Sequence, residues 1–571
     1  MPMRSECASG FDSGGAQILG EWSTVVCSNL TGKTYPSSGD CGMSFIYREL
    51  VATTKLVPRW VASTSTLRLL SVVALVIGVG ARTFAFCEVP PGLNPDEASI
   101  GYDAWSLLHY GVDRNGFKWP IHLVSWGSGQ NALYAYFAMP FIAFGLTPCT
   151  TRVPMLLAGY LSLPLTWIVA RRLFDERAAW TTLGTVALSP WHVMLSRWAL
   201  ESNLMPFVFL AALAGLLSAR TSNAYRVRLV CAFALFGLCL YAYGTAYLAV
   251  PLFVTGALIL GVVGGDLTPR AVALGFTTFL IVTLPIVMYV SINAFGWQTV
   301  SLAGITIPRL PVSSRMKTEI SSRSFSSNAE DLWRLLTTQS DGLAYNVTEP
   351  YGVLYSGAFF IFALCLMALI VLFTLRKQWP ARCALVVLWC VVTVPTGVVQ
   401  EPNINRINLL LMSLVLTAGL ALGVIDRWMR GLATIGLLAL LLLSGFFIHT
   451  YFTKQPRLLS EQYATGFTSA LDRAQASSSP TDLICVTSEV NMPYIFALFT
   501  ERTDPRKYLR TVSYLDVGAS IREVTRFGRY TFGLERCDLS VVKAVIARSD
   551  ERVPKEFGAG IAFGLFNVYL R

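Results

Sequence analysis

Charge is what this chain of 571 residues has least of. Asp, Glu, Lys and Arg together make up 14% of it, against about 25% in ordinary soluble domains. Hydrophobic residues make up 54%, and the mean hydropathy is +0.53. So few charges cannot cover a soluble globule of this length, which excludes an ordinary cytosolic enzyme built from soluble domains. The twelve cysteines include no CxxC pair and no metal-ligand spacing, so the pattern supports neither a zinc site nor a disulfide framework. A GxGxxG or P-loop phosphate cradle is also missing. The four histidines, His109, His122, His192 and His449, are too dispersed for a metal site, and His192 reads as a helix-end hydrogen bonder.

What is present is a series of long apolar runs. Stretches long enough to cross a bilayer, about 17–25 residues, fall near 66–87, 153–170, 179–196, 204–219, 229–245, 247–264, 271–292, 352–375, 383–400, 407–425 and 432–451, eleven in all. The net charge of +11 comes from basic clusters between them: Arg171, Arg172 and Arg177; Arg220, Arg226 and Arg228; Arg376, Lys377 and Arg382; Arg427 and Arg430. With a cytoplasmic amino terminus, alternate crossings put all four clusters inside. That distribution is expected of a multi-pass protein of the cell membrane, not of a nucleic-acid binder. Residues 129–146 are nearly apolar enough for a twelfth span, which would turn every later cluster outward. Their opening Gln130 and Asn131, with Pro140 and several aromatics, fit an interfacial helix better.

The resulting organisation is a polar, poorly ordered cytoplasmic tail over 1–65, with Met43 as an alternative start, then an all-α membrane bundle over 66–451. Outer loops occupy 88–152 and 293–351, the second Ser-rich and readable as a flexible lid. After 452, β-rich runs at Leu483–Val490, Val541–Ala547 and Ile561–Leu570 alternate with helix-compatible stretches. They predict a small extracytoplasmic α/β domain over 452–571. Cys485 and Cys537 in it can pair if it lies outside. Cys87, Cys231, Cys239, Cys365, Cys383 and Cys390, in or beside apolar runs, read as small core residues.

The chemistry is expected on the outer face. PPGLNPDEASIGYDAW, residues 90–105, places Asp96 and Glu97 just past the first span. Asn94 as cap, Pro95 in the first turn and two acids at the dipole form a helix start, and that structural role alone accounts for the pair. The wider set adds Glu201, after SPWHVMLSRWALESN, and Arg152, Arg197 and Arg406, all assigned to the same face. Ionisable groups near membrane depth are costly and mark function, although single arginines also snorkel to lipid phosphates. An acid can act as general base on an acceptor hydroxyl, and arginines can hold a phosphate leaving group. No nucleotide sugar reaches that face, so the fitting reaction is glycosyl transfer from a polyprenyl phosphate. Tyr241, Tyr243 and Tyr247 read as an interfacial aromatic belt. Trp119 and Trp126 suit either anchoring or stacking on a sugar.

Asp96-Glu97, Thr151-Arg152-Val153-Pro154, Arg171-Arg172-Leu173-Phe174, Ser189-Pro190, Ser196-Arg197 and Glu201 resemble the amino-terminal half of the dolichyl-phosphate-mannose–protein mannosyltransferase superfamily, which includes the aminoarabinose transferase of lipid A. Residues 341–359 and the Arg406 segment resemble its later elements, so the likeness covers about 66–450. It implies a C-type glycosyltransferase fold, an inverting mechanism and a catalytic carboxylate at Asp96. Glu201 stands where the family has Asp.

The reading is therefore a membrane glycosyltransferase moving a hexosyl or pentosyl group from a polyprenyl-phosphate donor to a glycan, lipid or protein hydroxyl. Asp96, Glu97 and Glu201 are the catalytic set, and Arg152, Arg197 and Arg406 bind the donor phosphate. No cofactor is required and no metal ligands are assigned, though carboxylates sharing a face invite a divalent cation. The rivals are a flippase for a lipid-linked glycan and an envelope assembly partner without catalysis.

Overall fold

The computed structural model describes residues 61–219, 224–311, 325–355 and 384–571, apart from 428 and 520, together with the isolated positions 58, 363 and 367. Among these, eight helices are long and apolar enough to cross a membrane: Thr64–Thr83, Pro148–Leu173, Glu201–Ala219, Tyr225–Ala242, Ala246–Val263, Pro269–Phe295, Asn408–Ile425 and Leu432–Thr453. This is the architecture of a multi-pass membrane protein. Asn408–Ile425 is the axis of the bundle, with 83% of its apolar window buried, against 28% for Thr64–Thr83, Pro269–Phe295 and Leu432–Thr453. Those outer helices turn Leu69, Val76, Ile281, Leu284 and Leu442 outward, as a surface meeting lipid does. The axis helix approaches Glu176–Leu188 through Gly419 and Gly423. A Cβ there would come within 2.6 Å of the Thr182 backbone and 2.5 Å of the Ala178 backbone, the close contact that small residues at four-residue spacing permit.

The span expected over 179–196 is broken. A 13-residue helix, Glu176–Leu188, stops at Ser189, and a second, Pro190–Leu195, starts there. Pro190 lacks the N–H that a continuous helix needs, and the Ser189 hydroxyl caps the new one by accepting from His192 N at 3.4 Å. Ala384–Val399 has 16 residues, and most of the span expected over 352–375 lies outside the described residues. Residues 129–146 do not form a span. They hold most of the second strand of the hairpin His122–Ser125 with Ser128–Asn131 and the ten-residue helix Leu133–Ile142, roughly 15 Å long.

The described basic residues of three clusters gather at one end of the bundle, while Arg220 and the cluster Arg376, Lys377 and Arg382 lie outside the described residues. Arg177 pairs with Asp426 and Arg427 with Asp175, each at 2.5 Å, and Arg226 and Arg228 open the helix Tyr225–Ala242. Glu201 and Arg406 lie at the other end, since the axis helix separates Arg406 from Asp426 by 18 residues, roughly 27 Å.

At that same end stands a seven-stranded mixed sheet. Its order is Ile561–Phe563, Phe566–Leu570, Val542–Arg548, Leu483–Val486, Tyr530–Phe532, Val524–Phe527, Ser513–Tyr514. The central strand Leu483–Val486 pairs in parallel with both neighbours, and helices Phe467–Ala476 and Pro493–Glu501 accompany the sheet. Its helix Pro493–Glu501 packs on the helix Pro95–Tyr110, and further bonds join this region to the first loop. The Tyr102 hydroxyl donates to Thr503 O at 2.6 Å, Leu93 N donates to Tyr463 O at 2.8 Å and Arg522 N to Trp126 O at 3.0 Å. The second loop is likewise built in rather than a bare lid. Its hairpin Val300–Leu302 with Ile305–Ile307 accepts Ile121 N on Thr306 O at 3.0 Å. Its helix Phe325–Thr338 leans on Ala384–Val399, where Asn328 Nδ2 donates to Val398 O at 2.9 Å. Residues 312–324 lie outside the described residues.

Two disulfides tie this end together. Cys485–Cys537 staples the sheet. Cys87–Cys149 closes the first loop at its base, across 62 residues, so Cys87 is not a core thiol. Cys239 and Cys390 are buried free thiols and Cys231 an exposed one; Cys365 and Cys383 lie outside the described residues. Cleaving Cys485–Cys537 by paired Cys→Ser substitution is expected to lower stability by about 2–4 kcal/mol, the usual contribution of such a loop closure. A thermal midpoint unchanged from the parent under non-reducing conditions contradicts this.

Candidate active site

The helix Pro95–Tyr110 starts as its sequence dictates. Asn94 Oδ1 accepts Asp96 N at 2.9 Å, Pro95 takes the first turn, and the Glu97 carboxylate returns to Asn94 N at 3.2 Å. Glu97 then does much more. Its Oε1 accepts Arg152 Nε at 2.7 Å and Ala199 N at 3.0 Å, and its Oε2 accepts Arg152 Nη2 at 2.7 Å as well as Asn94 N. Four N–H groups fill both oxygens of a side chain that is fully buried. Glu97 is therefore a keystone of the fold, not a group that handles acceptor.

Two arginines expected at the donor phosphate are also accounted for otherwise. Arg152 is fully buried and, besides Glu97, donates to Pro90 O and Gly92 O, each at 2.9 Å. Arg197, equally buried, gives five hydrogen bonds to the carbonyls of Ala81, Arg82, Ala85 and Val89. The carbonyls at the end of a helix have no partner within it, and Arg197 supplies donors for the end of Thr64–Thr83. Both guanidinium groups are committed to the chain itself. His192 joins the same layer, 2.7 Å from Arg82 Nη2.

Glu201 and Arg406 are brought together on the wall of a cavity of about 520 Å³, within the size range of small-molecule sites. The rest of that wall is uncharged. His122 stacks on Tyr289 with ring centroids 4.1 Å apart, and burial pushes the imidazole down to about 4, so it is neutral at physiological pH. Tyr243, Tyr247, Asn131 and Asn293 complete the polar surface. Tyr243 and Tyr247 thus face a pocket rather than forming a belt. Gly129 is required where it stands, because a Cβ would lie 2.4 Å from His122 and 2.7 Å from the Tyr289 hydroxyl. Trp119 stacks on Tyr136 and Trp126 packs between Arg114 and Tyr494; neither lines the cavity.

Asp96 does not line it either. It is half-buried, and its charge and that of Arg406 both act on the Tyr345 phenol. Burial pushes that hydroxyl up to about 12, the charges of Asp341 and Asp96 add to the shift, and Arg406 opposes it. The charges of Asp96, Asp341 and Arg406 thus all act on one tyrosine, whose ring meets Trp198 at 5.1 Å. Asp341 was not anticipated. Its Oδ2 accepts Ile404 N at 3.0 Å and Asn346 Nδ2 at 2.7 Å, which pins the loop that carries Arg406. An acid followed by Gly342 is a turn signal in the sequence, and nothing local marks its distant partner. Of the three acids expected to share a cation, Glu97 has no oxygen to offer. Among the described residues no three His, Cys, Asp or Glu side chains gather as a metal set. The chain's own donors thus do not make the three-carboxylate site.

A bundle of membrane-length helices, with a first-loop helix opening on an acid and a C-terminal sheet above it, is the C-type glycosyltransferase fold. Two proteins of known structure share it over most of this chain. ArnT from Cupriavidus metallidurans, bound to undecaprenyl phosphate, aligns with a TM-score of 0.53 at 15% identity, covering 89% of this chain and 98% of that one. The oligosaccharyltransferase of Archaeoglobus fulgidus, in complex with Zn and sulfate, aligns with a TM-score of 0.51 at 12% identity, covering 86% and 69%. Neither a protein-family model nor a curated protein matches the sequence. At these identities the likeness is one of fold.

Proposed function

We propose that this protein transfers a sugar from a polyprenyl-phosphate carrier to an acceptor hydroxyl on the extracytoplasmic face of the cell membrane. The observation that carries the reading is the cavity. One carboxylate, Glu201, and one guanidinium, Arg406, sit on a wall that otherwise carries tyrosine rings, amides, hydroxyls, a neutral imidazole and aliphatic side chains such as Leu248, Val290 and Leu310. Rings and amides bind a polyhydroxylated ring, and the guanidinium answers a phosphate. A protein of this fold holds undecaprenyl phosphate, which supports a lipid-phosphate donor.

In the proposed mechanism the acceptor stands on the Asp96 side, outside the cavity wall, and its oxygen attacks the anomeric carbon of the sugar held in the cavity while Asp96 takes its proton. The anomeric C–O bond to phosphate breaks, polyprenyl phosphate leaves with the electron pair, and configuration inverts. Arg406 takes up the charge on the departing phosphate, and Glu201 orients the sugar or the acceptor. Two independent features support this orientation. Basic clusters favour the cytoplasmic side, and the two disulfides, at the other end, suit an oxidising compartment.

Purified protein incubated with a panel of polyprenyl-phosphate sugars is expected to release polyprenyl phosphate with at least one of them. Arg406→Gln is expected to weaken donor binding by about 10–100-fold, as losing a charge-assisted contact does. No release across neutral, amino and acidic sugars overturns the proposal.

A further inference from the structure

A chain of hydrogen bonds runs from the buried interior of the first loop to Glu201, and its direction is set by chemistry. Arg114, buried beside Asp103 with Nη2 to Oδ2 at 3.5 Å, donates from Nη2 to Ser99 Oγ at 2.6 Å. A guanidinium can only donate, so Ser99 must send its own proton elsewhere. It goes to Gln130 Oε1 at 2.9 Å; in the longer 3.4 Å contact with Ser125 Oγ, Ser125 serves as donor. With its oxygen so engaged, Gln130 turns its amide N–H to Glu201 Oε2 at 3.3 Å. The reversed amide would set a carbonyl oxygen against a carboxylate oxygen. Gln130 itself is fixed by the hairpin, where it pairs with Leu123, and it is buried.

We propose that Gln130 is a positioning residue for the transfer reaction, locked by the Arg114–Ser99 relay into the one orientation that holds Glu201 as a charged acceptor at the cavity wall. This rests on the glycosyl-transfer reading of the cavity. The relay couples the acid to the first-loop helix that also presents Asp96, since Ser99 follows Asp96 by one turn on it. The other titratable groups facing Glu201 across the cavity are Arg406, His122, Tyr243, Tyr247 and Tyr289. Asp103 and Asp113 stand behind Arg114.

The relay is tested on the full chain in detergent by infrared difference titration, the parent minus Glu201→Gln isolating the Glu201 carboxyl band. Gln130→Leu is expected to raise the midpoint of that band by about one to two pH units, the range that corresponds to one lost hydrogen bond to a carboxylate. Ser99→Ala, which leaves Gln130 in place but free to turn, raises it by less. It carries the test if Gln130→Leu does not fold. A midpoint unmoved in a folded variant overturns the proposal. Polyprenyl phosphate release, measured on the same parent protein, separates the two levels. Release with an unmoved midpoint removes only the relay, whereas a shifted midpoint without release removes the transferase reading.

Discussion

Asp96→Asn is expected to lower sugar transfer by about 10²–10⁴-fold, the range that a positioned general base contributes, with the protein still folded. The amide keeps the size of the side chain and cannot take a proton. The contact that starts the helix is made by the Asp96 backbone N–H, which the substitution leaves in place, and a first-turn charge contributes only about 0.3–1 kcal/mol. Polyprenyl phosphate release and a melting curve on one preparation decide it. Turnover near that of the parent would remove Asp96 from the base role.

The neighbouring acid is expected to behave in the opposite way. Glu97→Gln leaves Arg152 as an uncompensated buried cation, and breaking such a pair typically costs about 3–5 kcal/mol. That is a large share of the 5–15 kcal/mol that holds most domains together. The variant should therefore melt far below the parent or fail to accumulate. Arg152→Lys should be nearly as damaging, because an ammonium cannot make the paired contact to Glu97 together with those to Pro90 and Gly92. A stable Glu97→Gln protein that has lost only transfer would return Glu97 to the chemistry.

The contrast between two adjacent acids marks what the sequence can and cannot disclose. The helix start at Pro95 was legible because Asn94, Pro95, Asp96 and Glu97 act on one another within a turn. The tail strands are legible because β-branched runs carry their own signal: Leu483–Val486 forms inside the segment read over Leu483–Val490, and Val542–Arg548 coincides with Val541–Ala547 but for one residue at each end. The ion pair of Glu97 spans 55 positions and the disulfide of Cys87 spans 62. An arginine that clasps backbone carbonyls looks, in one dimension, like one awaiting a phosphate. The structure gives Arg152 and Arg197 partners within the chain, and Arg406 reaches the cavity wall through the fold rather than by any local pattern. The break at Ser189-Pro190 did carry a local mark, a capping residue followed by proline, but the apolar run around it was the louder signal.

The docking of the last quarter of the chain on the first loop has a consequence for biogenesis. Tyr102 bonds to a carbonyl 401 positions later, so at about 5–20 residues per second the ribosome delivers that partner roughly 20–80 s after the acid-bearing helix has emerged. Throughout that interval the helix has no roof, and the nascent protein waits, membrane-inserted but incomplete, for its own carboxyl terminus to arrive.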